Sequence, residues 1–105
     1  MSEMVFHIHV YVMADKYFIP DLCVLAAVKL GERGGKCWKQ REFADAIATL
    51  YSIEDHPGLR QVLVGVAAKY HGEMVREKEK FKHFWTAASE APGFAVDVLQ
   101  AVAPS

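Results

Sequence analysis

The 105-residue sequence predicts an all-α fold of five or six short amphipathic helices, packed as a compact, non-repeating bundle that begins with a helical hairpin. Apolar residues recur at the three- and four-residue steps that place side chains on one face of a helix. Proline and glycine separate the stretches that show this spacing. No run of alternating polar and apolar residues is long enough for a strand, and no repeat of fixed period is present. We therefore expect one helical domain over residues 1–105.

The first helix is predicted over residues 6–17, with one apolar face. That face comprises Phe6, Val10, Met13, Ala14 and Tyr17. Pro20 disfavours the α conformation at Ile19, and its fixed φ suits the first position of a new helix, where no amide donor is needed. The chain should therefore turn at Phe18 and Ile19, giving a helical hairpin over about residues 5–30.

The glycine-rich stretch 31–36 is predicted to be a loop and the main internal hinge, within a connector that spans residues 31–41. A third helix should follow and end near Ile53. Its buried face is predicted to comprise Phe43, Ala46, Ile47, Leu50 and Tyr51. This helix opens a helical extension that we expect to cover residues 42–103.

The fourth helix should begin at the turn 55–58, because Pro57 suits a first helical position and Asp55 or His56 can accept backbone amides. Its apolar residues recur at three- and four-residue steps as far as Tyr70, and Gly72 predicts a local break in the helix.

The charged run 76–80 is predicted to form the solvated beginning of a fifth helix. The buried face of that helix should comprise Phe81, Phe84, Trp85 and Ala88. Pro92 begins a short sixth helix, which continues to Val102, and residues 103–105 are expected to fray.

Composition and charge exclude several classes of function. Apolar residues make up 52% of the chain against 24% charged, which predicts a folded domain that covers part of its surface with a partner. The net charge of −1 gives no general attraction for nucleic acid or anionic membranes. The N-terminus lacks a secretory signal, and no apolar run approaches the roughly 20 residues of a membrane span. We expect an intracellular protein, cytoplasmic or nuclear, with no nucleic-acid or membrane partner.

The two cysteines, Cys23 and Cys37, belong to no closely spaced ligand pair. We expect two free thiols in a reducing compartment, and a disulfide or metal pair is the alternative. The five histidines show no convergent spacing, since His7 and His9 point in different directions on a helix. No metal and no cofactor are therefore expected.

No motif of covalent catalysis accompanies Cys23, Cys37, Ser52 or Ser89. The stretch 34–36 lacks the remaining residues of a phosphate-binding loop. Asp15 lies at the negative end of the first helix, where a carboxylate is unfavourable, and we interpret it as a capping or ion-pairing group of the corner. The sequence therefore predicts a protein that is not an enzyme and has no small-molecule substrate.

The hairpin sequence 10–22 closely resembles the last helical hairpin of BTB/POZ domains, particularly the fungal ones. The match is carried by Tyr11, Ala14, Asp15, Lys16, Tyr17, Ile19, Pro20 and Leu22. The remainder is similar to the helical extension of the same fungal proteins, through Trp38, Glu42–Phe43, Ala46–Ile47, Leu50–Tyr51, Leu59–Arg60, Val66–Ala68, Pro92–Ala95 and Val98–Leu99. The resemblance extends from about His9 to Val102.

A complete BTB/POZ domain places a strand-rich and helical half before this hairpin, and we expect that half to be absent here. In the family, that half contributes the dimer interface and much of the surface that binds cullin scaffolds or corepressors. Binding to cullins and binding to corepressors are therefore not transferred to this chain. The first helix independently predicts a missing neighbour, because Ile8, Val12 and Phe18 lie off its main apolar face.

These observations predict a protein–protein interaction module that binds a protein partner or a second copy of itself through apolar helical surface. The expected contacts are Ile8, Val12, Phe18 and Trp38. The alternatives are a truncated fragment without independent activity and, in a different class, a small enzyme or ligand-binding helical domain.

Overall fold

The computed structural model describes residues 2–53, 56–77 and 79–102. Six α-helices and no strand occur within them, which confirms the all-α prediction. The helices are α1 (Glu3–Lys16), α2 (Pro20–Cys37), α3 (Arg41–Ser52), α4 (Pro57–Arg76), α5 (Lys82–Glu90) and α6 (Pro92–Val102). The main packed pairs are α1 with α2, α3 with α5, and α4 with α6. The turn residue Asp55 and the C-terminal residues 103–105 lie outside the described part of the chain.

The corner between α1 and α2 is built as the sequence predicts. Pro20 occupies the start of α2, and the Ile19 amide donates to the Ala14 carbonyl at 2.9 Å. The Phe18 amide donates to the Asp15 carbonyl at 3.3 Å, and Phe18 has a φ of 57°. The hydrogen bonds therefore close the end of α1 while one residue enters the left-handed region.

The prediction of a loop and hinge at residues 31–36 is wrong, because α2 continues without interruption to Cys37. A Cβ at Gly31 would lie 3.4 Å from Val62, and one at Gly34 would lie 3.2 Å from Val66. These glycines lie against α4 and let the two helices approach closely. Tertiary packing here overrides the low helix propensity of glycine.

Two boundaries near the end of α4 also differ from the prediction. The fourth helix continues through Gly72 to Arg76. Met74, two residues after Gly72, is buried in the core and packs this last part of the helix against the rest of the protein. Arg76 ends α4, and α5 begins only at Lys82, so the charged run does not form the beginning of the fifth helix. The Trp85 indole donates to the Met74 carbonyl at 3.3 Å and joins the end of α4 to α5.

The buried face of α1 is not the predicted one. Met4 and Ile8 are fully buried, together with Ala14, whereas Phe6 and Met13 are exposed. An apolar helix gives no contrast between its faces, so periodicity alone cannot select the buried side.

Aromatic residues from several elements fill the interior. Phe43 stacks on Phe84 with ring centres 6.1 Å apart, and Phe84 meets Phe94 edge-to-face at 5.9 Å. Trp38 stacks between Tyr70 at 4.3 Å and Phe81 at 5.4 Å. These contacts join the helical extension into one core with the hairpin.

Hydrogen bonds at the two ends of α3 hold distant parts of the chain. At its beginning, Glu42 accepts from the Met4 amide at 3.0 Å and from two nitrogens of Arg33 at 3.1 and 3.2 Å. At its end, the Tyr51 hydroxyl donates to Asp97 at 2.8 Å. Burial and this hydrogen bond raise the pKa of Tyr51. The third helix thereby holds both α1 and α6.

We expect Glu42→Gln to lower the free energy of unfolding by about 1–2 kcal/mol at pH 7, because it weakens charge-assisted hydrogen bonds. The hydrogen bonds from the Arg33 guanidinium hold the pKa of Glu42 below its ordinary value of 4.5. The stabilisation from the carboxylate is therefore complete above the unfolded-state pKa near 4.5 and is lost as the pH falls through the lower folded-state pKa.

Urea denaturation of both proteins between pH 7 and pH 3 measures this contribution as their difference in unfolding free energy. That difference should shrink as the pH falls below about 4.5. A difference independent of pH would contradict the assigned role of Glu42.

Candidate interaction surface

Exposed apolar side chains are concentrated on the hairpin of α1 and α2. Of the eleven large apolar side chains that are exposed among the described residues, eight belong to it. We call them the hairpin surface: Phe6, Met13, Tyr17, Phe18, Ile19, Val24, Leu25 and Val28. Since scattered exposed apolar residues are ordinary but a concentrated group is not, this surface is the candidate functional site.

The two helices contribute different chemistry to the hairpin surface. Phe6 and Met13 are seven residues apart on the outward face of α1, and Tyr17 caps the end of that helix. Val24 and Val28 are one helical turn apart on α2, beside Leu25. The surface therefore has an aromatic and methionine-containing part on α1 and an aliphatic part on α2.

Phe18 is the most exposed member of the hairpin surface, at 89%. It is also the one residue other than glycine with positive φ among the described residues. A left-handed conformation costs a residue with a Cβ about 1–2 kcal/mol, and glycine would avoid that cost. The left-handed conformation itself closes α1, as it does at the ends of many helices, and glycine is the usual residue there. The fold therefore explains the backbone conformation at this position but not the phenyl ring that the chain exposes to water.

We expect Phe18→Gly to raise the free energy of unfolding by about 0.5–1 kcal/mol. Relief of the backbone strain, about 1–2 kcal/mol, exceeds the entropic cost of glycine, about 0.5–1 kcal/mol. Phe18→Ala is the control, because alanine removes the ring and keeps the strain. Chemical denaturation should show the gain for glycine alone, and an equal gain for alanine would contradict the assignment of strain.

His56, which lies outside the hairpin, contacts two residues of α1 near the corner. The Asp15 carboxylate lies 3.8 Å from Nδ1 of His56, at the beginning of α4, and the His56 ring meets Tyr11 edge-to-face at 6.0 Å. Asp15 and His56 form an ion pair at this distance only when the His56 ring is protonated.

The residues of the BTB/POZ-like motif divide between the two sides of the hairpin. The inward side has buried or half-buried Tyr11, Ala14 and Leu22. The exposed side has Asp15, Lys16, Tyr17, Ile19 and Pro20. The motif therefore describes both the packing of the corner and part of its accessible face.

Two of the four predicted partner contacts are wrong. Ile8 and Trp38 are covered by the core, and Trp38 is only 6% exposed. Phe18 is highly exposed, as an interface residue requires, and Val12 is half-buried. Sequence reasoning missed the contribution of α2, although the spacing of Val24 and Val28 was a signal for a second apolar face.

No family model, curated protein or solved structure matches this chain. The similarity to fungal BTB/POZ proteins therefore stays a prediction.

A second apolar feature is a groove of about 250 Å³ between α4, α5 and α6. Its lining includes Met74, Phe84, Trp85, Val98 and Leu99, and His71 is the one titratable residue of the lining. Nδ1 of His71 lies 2.6 Å from the Ala68 carbonyl oxygen, so a ligand bound there would meet mainly apolar side chains. This groove would suit binding better than catalysis.

The surroundings of the two cysteines and the spacing of the metal-ligating residues can be described for residues 2–53, 56–77 and 79–102. Both cysteines are free, and burial raises the pKa of the Cys23 and Cys37 thiols, which disfavours the reactive thiolate. Among residues 2–53, 56–77 and 79–102, no group of three or more metal-ligating side chains converges. None of the helices described there has the length and apolar character needed to cross a membrane.

Proposed function

We propose that this chain is a non-enzymatic protein–protein interaction module that binds its partner through the hairpin surface. The observation that carries the proposal is Phe18, an aromatic ring that is 89% exposed at a capping position where glycine is the usual residue. Rigid aromatic side chains are frequent anchors of protein interfaces.

The surroundings of Phe18 support the same function. The hairpin surface combines aromatic, methionine and aliphatic side chains, the composition typical of an interface core. Charged Lys16 and Asp21 lie beside it and supply the polar rim that interfaces require. The resemblance of residues 10–22 to the hairpin of BTB/POZ domains also favours an interaction protein.

Site-specific photocrosslinking tests this function. A benzophenone side chain replaces Phe18 in the full chain, expressed in the cells from which the protein comes. We expect a crosslinked protein adduct, because the ring at this position should contact the partner. Val96 is the matched control, since it is apolar and 52% exposed but lies on α6, outside the lining of the apolar groove.

The adduct at position 18 should exceed the one at position 96, whatever protein it contains. Equal yields at the two positions, or no protein adduct at either, would contradict the proposed function.

A further inference from the structure

We infer that the groove between α4, α5 and α6 is a binding site for a small uncharged apolar molecule, such as a hydrocarbon or an aromatic ring system. This inference goes beyond the proposed function and does not depend on the hairpin surface. The groove has a volume of about 250 Å³, and all three helices contribute to its lining. Among the described residues that line it, none is Asp, Glu, Lys or Arg.

The groove has a buried floor and an exposed mouth. Ala67, Met74 and Phe94 belong to its lining and are at most 1% exposed. Val75 and Leu99 also line it, and they are 59% and 66% exposed. The groove therefore leads from the surface, between α4 and α6, to residues of the core. A small molecule can enter at the exposed side and lose most of its contact with water.

Water is a poor occupant of this groove. A buried water typically makes about three hydrogen bonds to polar groups. Of the described lining residues, only His71 and Trp85 have nitrogen or oxygen in their side chains, and each places one nitrogen against a backbone carbonyl of α4. An apolar molecule that displaces water here loses few hydrogen bonds and gains contacts with the buried floor.

The volume and the lining together define the ligand. A dry apolar cavity of about 150 Å³ binds benzene, so about 250 Å³ suits roughly ten carbons at the same volume per carbon. An ion would lose its hydration and meet no oppositely charged Asp, Glu, Lys or Arg in the described lining. A polypeptide segment would bring backbone amides that find few partners there. The groove therefore fits a neutral small molecule better than an ion or a peptide.

Heteronuclear NMR of the purified full chain, titrated with indole, tests the inference, because indole is uncharged and of this size. The two tryptophans provide two side-chain reporters. Trp85 lines the groove, whereas Trp38 is stacked between Tyr70 and Phe81 and is not a lining residue. We expect a saturable shift of the Trp85 indole N–H signal, with a dissociation constant of about 0.1–1 mM, and no such shift for Trp38.

Variants that fill the groove make this test specific. Ala88→Leu and Ala95→Leu add carbons to the lining and should weaken indole binding by about 10-fold or more. Ala101→Leu is the matched control, since it adds the same carbons on α6 but outside the lining, and it should bind indole as the unchanged chain does. Circular dichroism verifies that the variants are helical. Benzoate, which is of similar size but charged, should bind at least about 10-fold more weakly than indole.

Three results would overturn the inference. The first is a Trp85 signal without a saturable shift up to about 5 mM indole. The second is equal indole binding by Ala88→Leu, Ala95→Leu and the unchanged chain, because the indole would then lie elsewhere. The third is a Trp85 signal that moves with protein concentration and not with indole, because a second copy would then occupy the groove. The hairpin surface lies on α1 and α2, so none of these results alters the proposed function.

Discussion

We expect Trp38→Ala to lower the free energy of unfolding by about 3–5 kcal/mol, the range for removal of a large aromatic side chain from a core. The Trp38 ring is stacked between Tyr70 and Phe81, at centre distances of 4.3 and 5.4 Å. It joins the end of α2 to α4 and to the segment that precedes α5. Its truncation would leave a cavity between three parts of the chain.

Phe18→Ala is the matched control, because it also removes an aromatic ring but from an exposed position. We expect it to change the free energy of unfolding by less than about 0.5 kcal/mol. Urea denaturation at a concentration where the chain is monomeric measures both. Similar losses for the two variants would contradict the division between a buried Trp38 and an exposed Phe18.

We expect Gly34→Leu to lower the free energy of unfolding by about 1–3 kcal/mol, because it overpacks a close contact between helices. A Cβ at Gly34 would lie 3.2 Å from Val66 and 3.4 Å from the terminal methyl of Met4. The remaining atoms of a leucine would have to displace α1 or α4.

Gly35→Leu is the control at the adjacent position, where a Cβ would meet no atom within 4 Å. Here the better helix propensity of leucine should raise the free energy of unfolding by up to about 1 kcal/mol. Thermal and chemical denaturation should thus show that Gly34→Leu lowers the free energy of unfolding and that Gly35→Leu raises it. Losses of equal size would contradict a continuous helix that has Gly34, but not Gly35, on its packed face.

The sequence predicted correctly the elements whose conformation depends on residues close together in the chain. Pro20 specified the corner because its ring restricts both itself and Ile19, whatever lies nearby. Gly31 and Gly34 misled the prediction because their role depends on Val62 and Val66 of α4, which lie 31 and 32 residues further along the chain. Glycine signals a loop by propensity and a close helix contact by packing, and the sequence alone does not distinguish them.

The candidate site was predictable only in part, for a related physical reason. Phe18 is predicted to be a contact because, like Ile8 and Val12, it lies off the main apolar face of the first helix. Ile8 and Trp38 were predicted to be exposed. The sequence does not specify which side of a largely apolar helix, or which face of an isolated aromatic residue, is buried. Only the packing of α1 on α3, and of Trp38 between two rings, decides which apolar residues meet water.

The hydrogen bonds of α3 have a consequence for how the native chain opens. Glu42 holds the first turn of α1, and Tyr51 holds α6, so the first and last described helices are both attached to a segment in the middle of the sequence. Detachment of either helix breaks a side-chain hydrogen bond to α3. The backbone amides of Met4 and its neighbours should therefore exchange with deuterium more slowly than the usual fraying of a terminal helical turn allows.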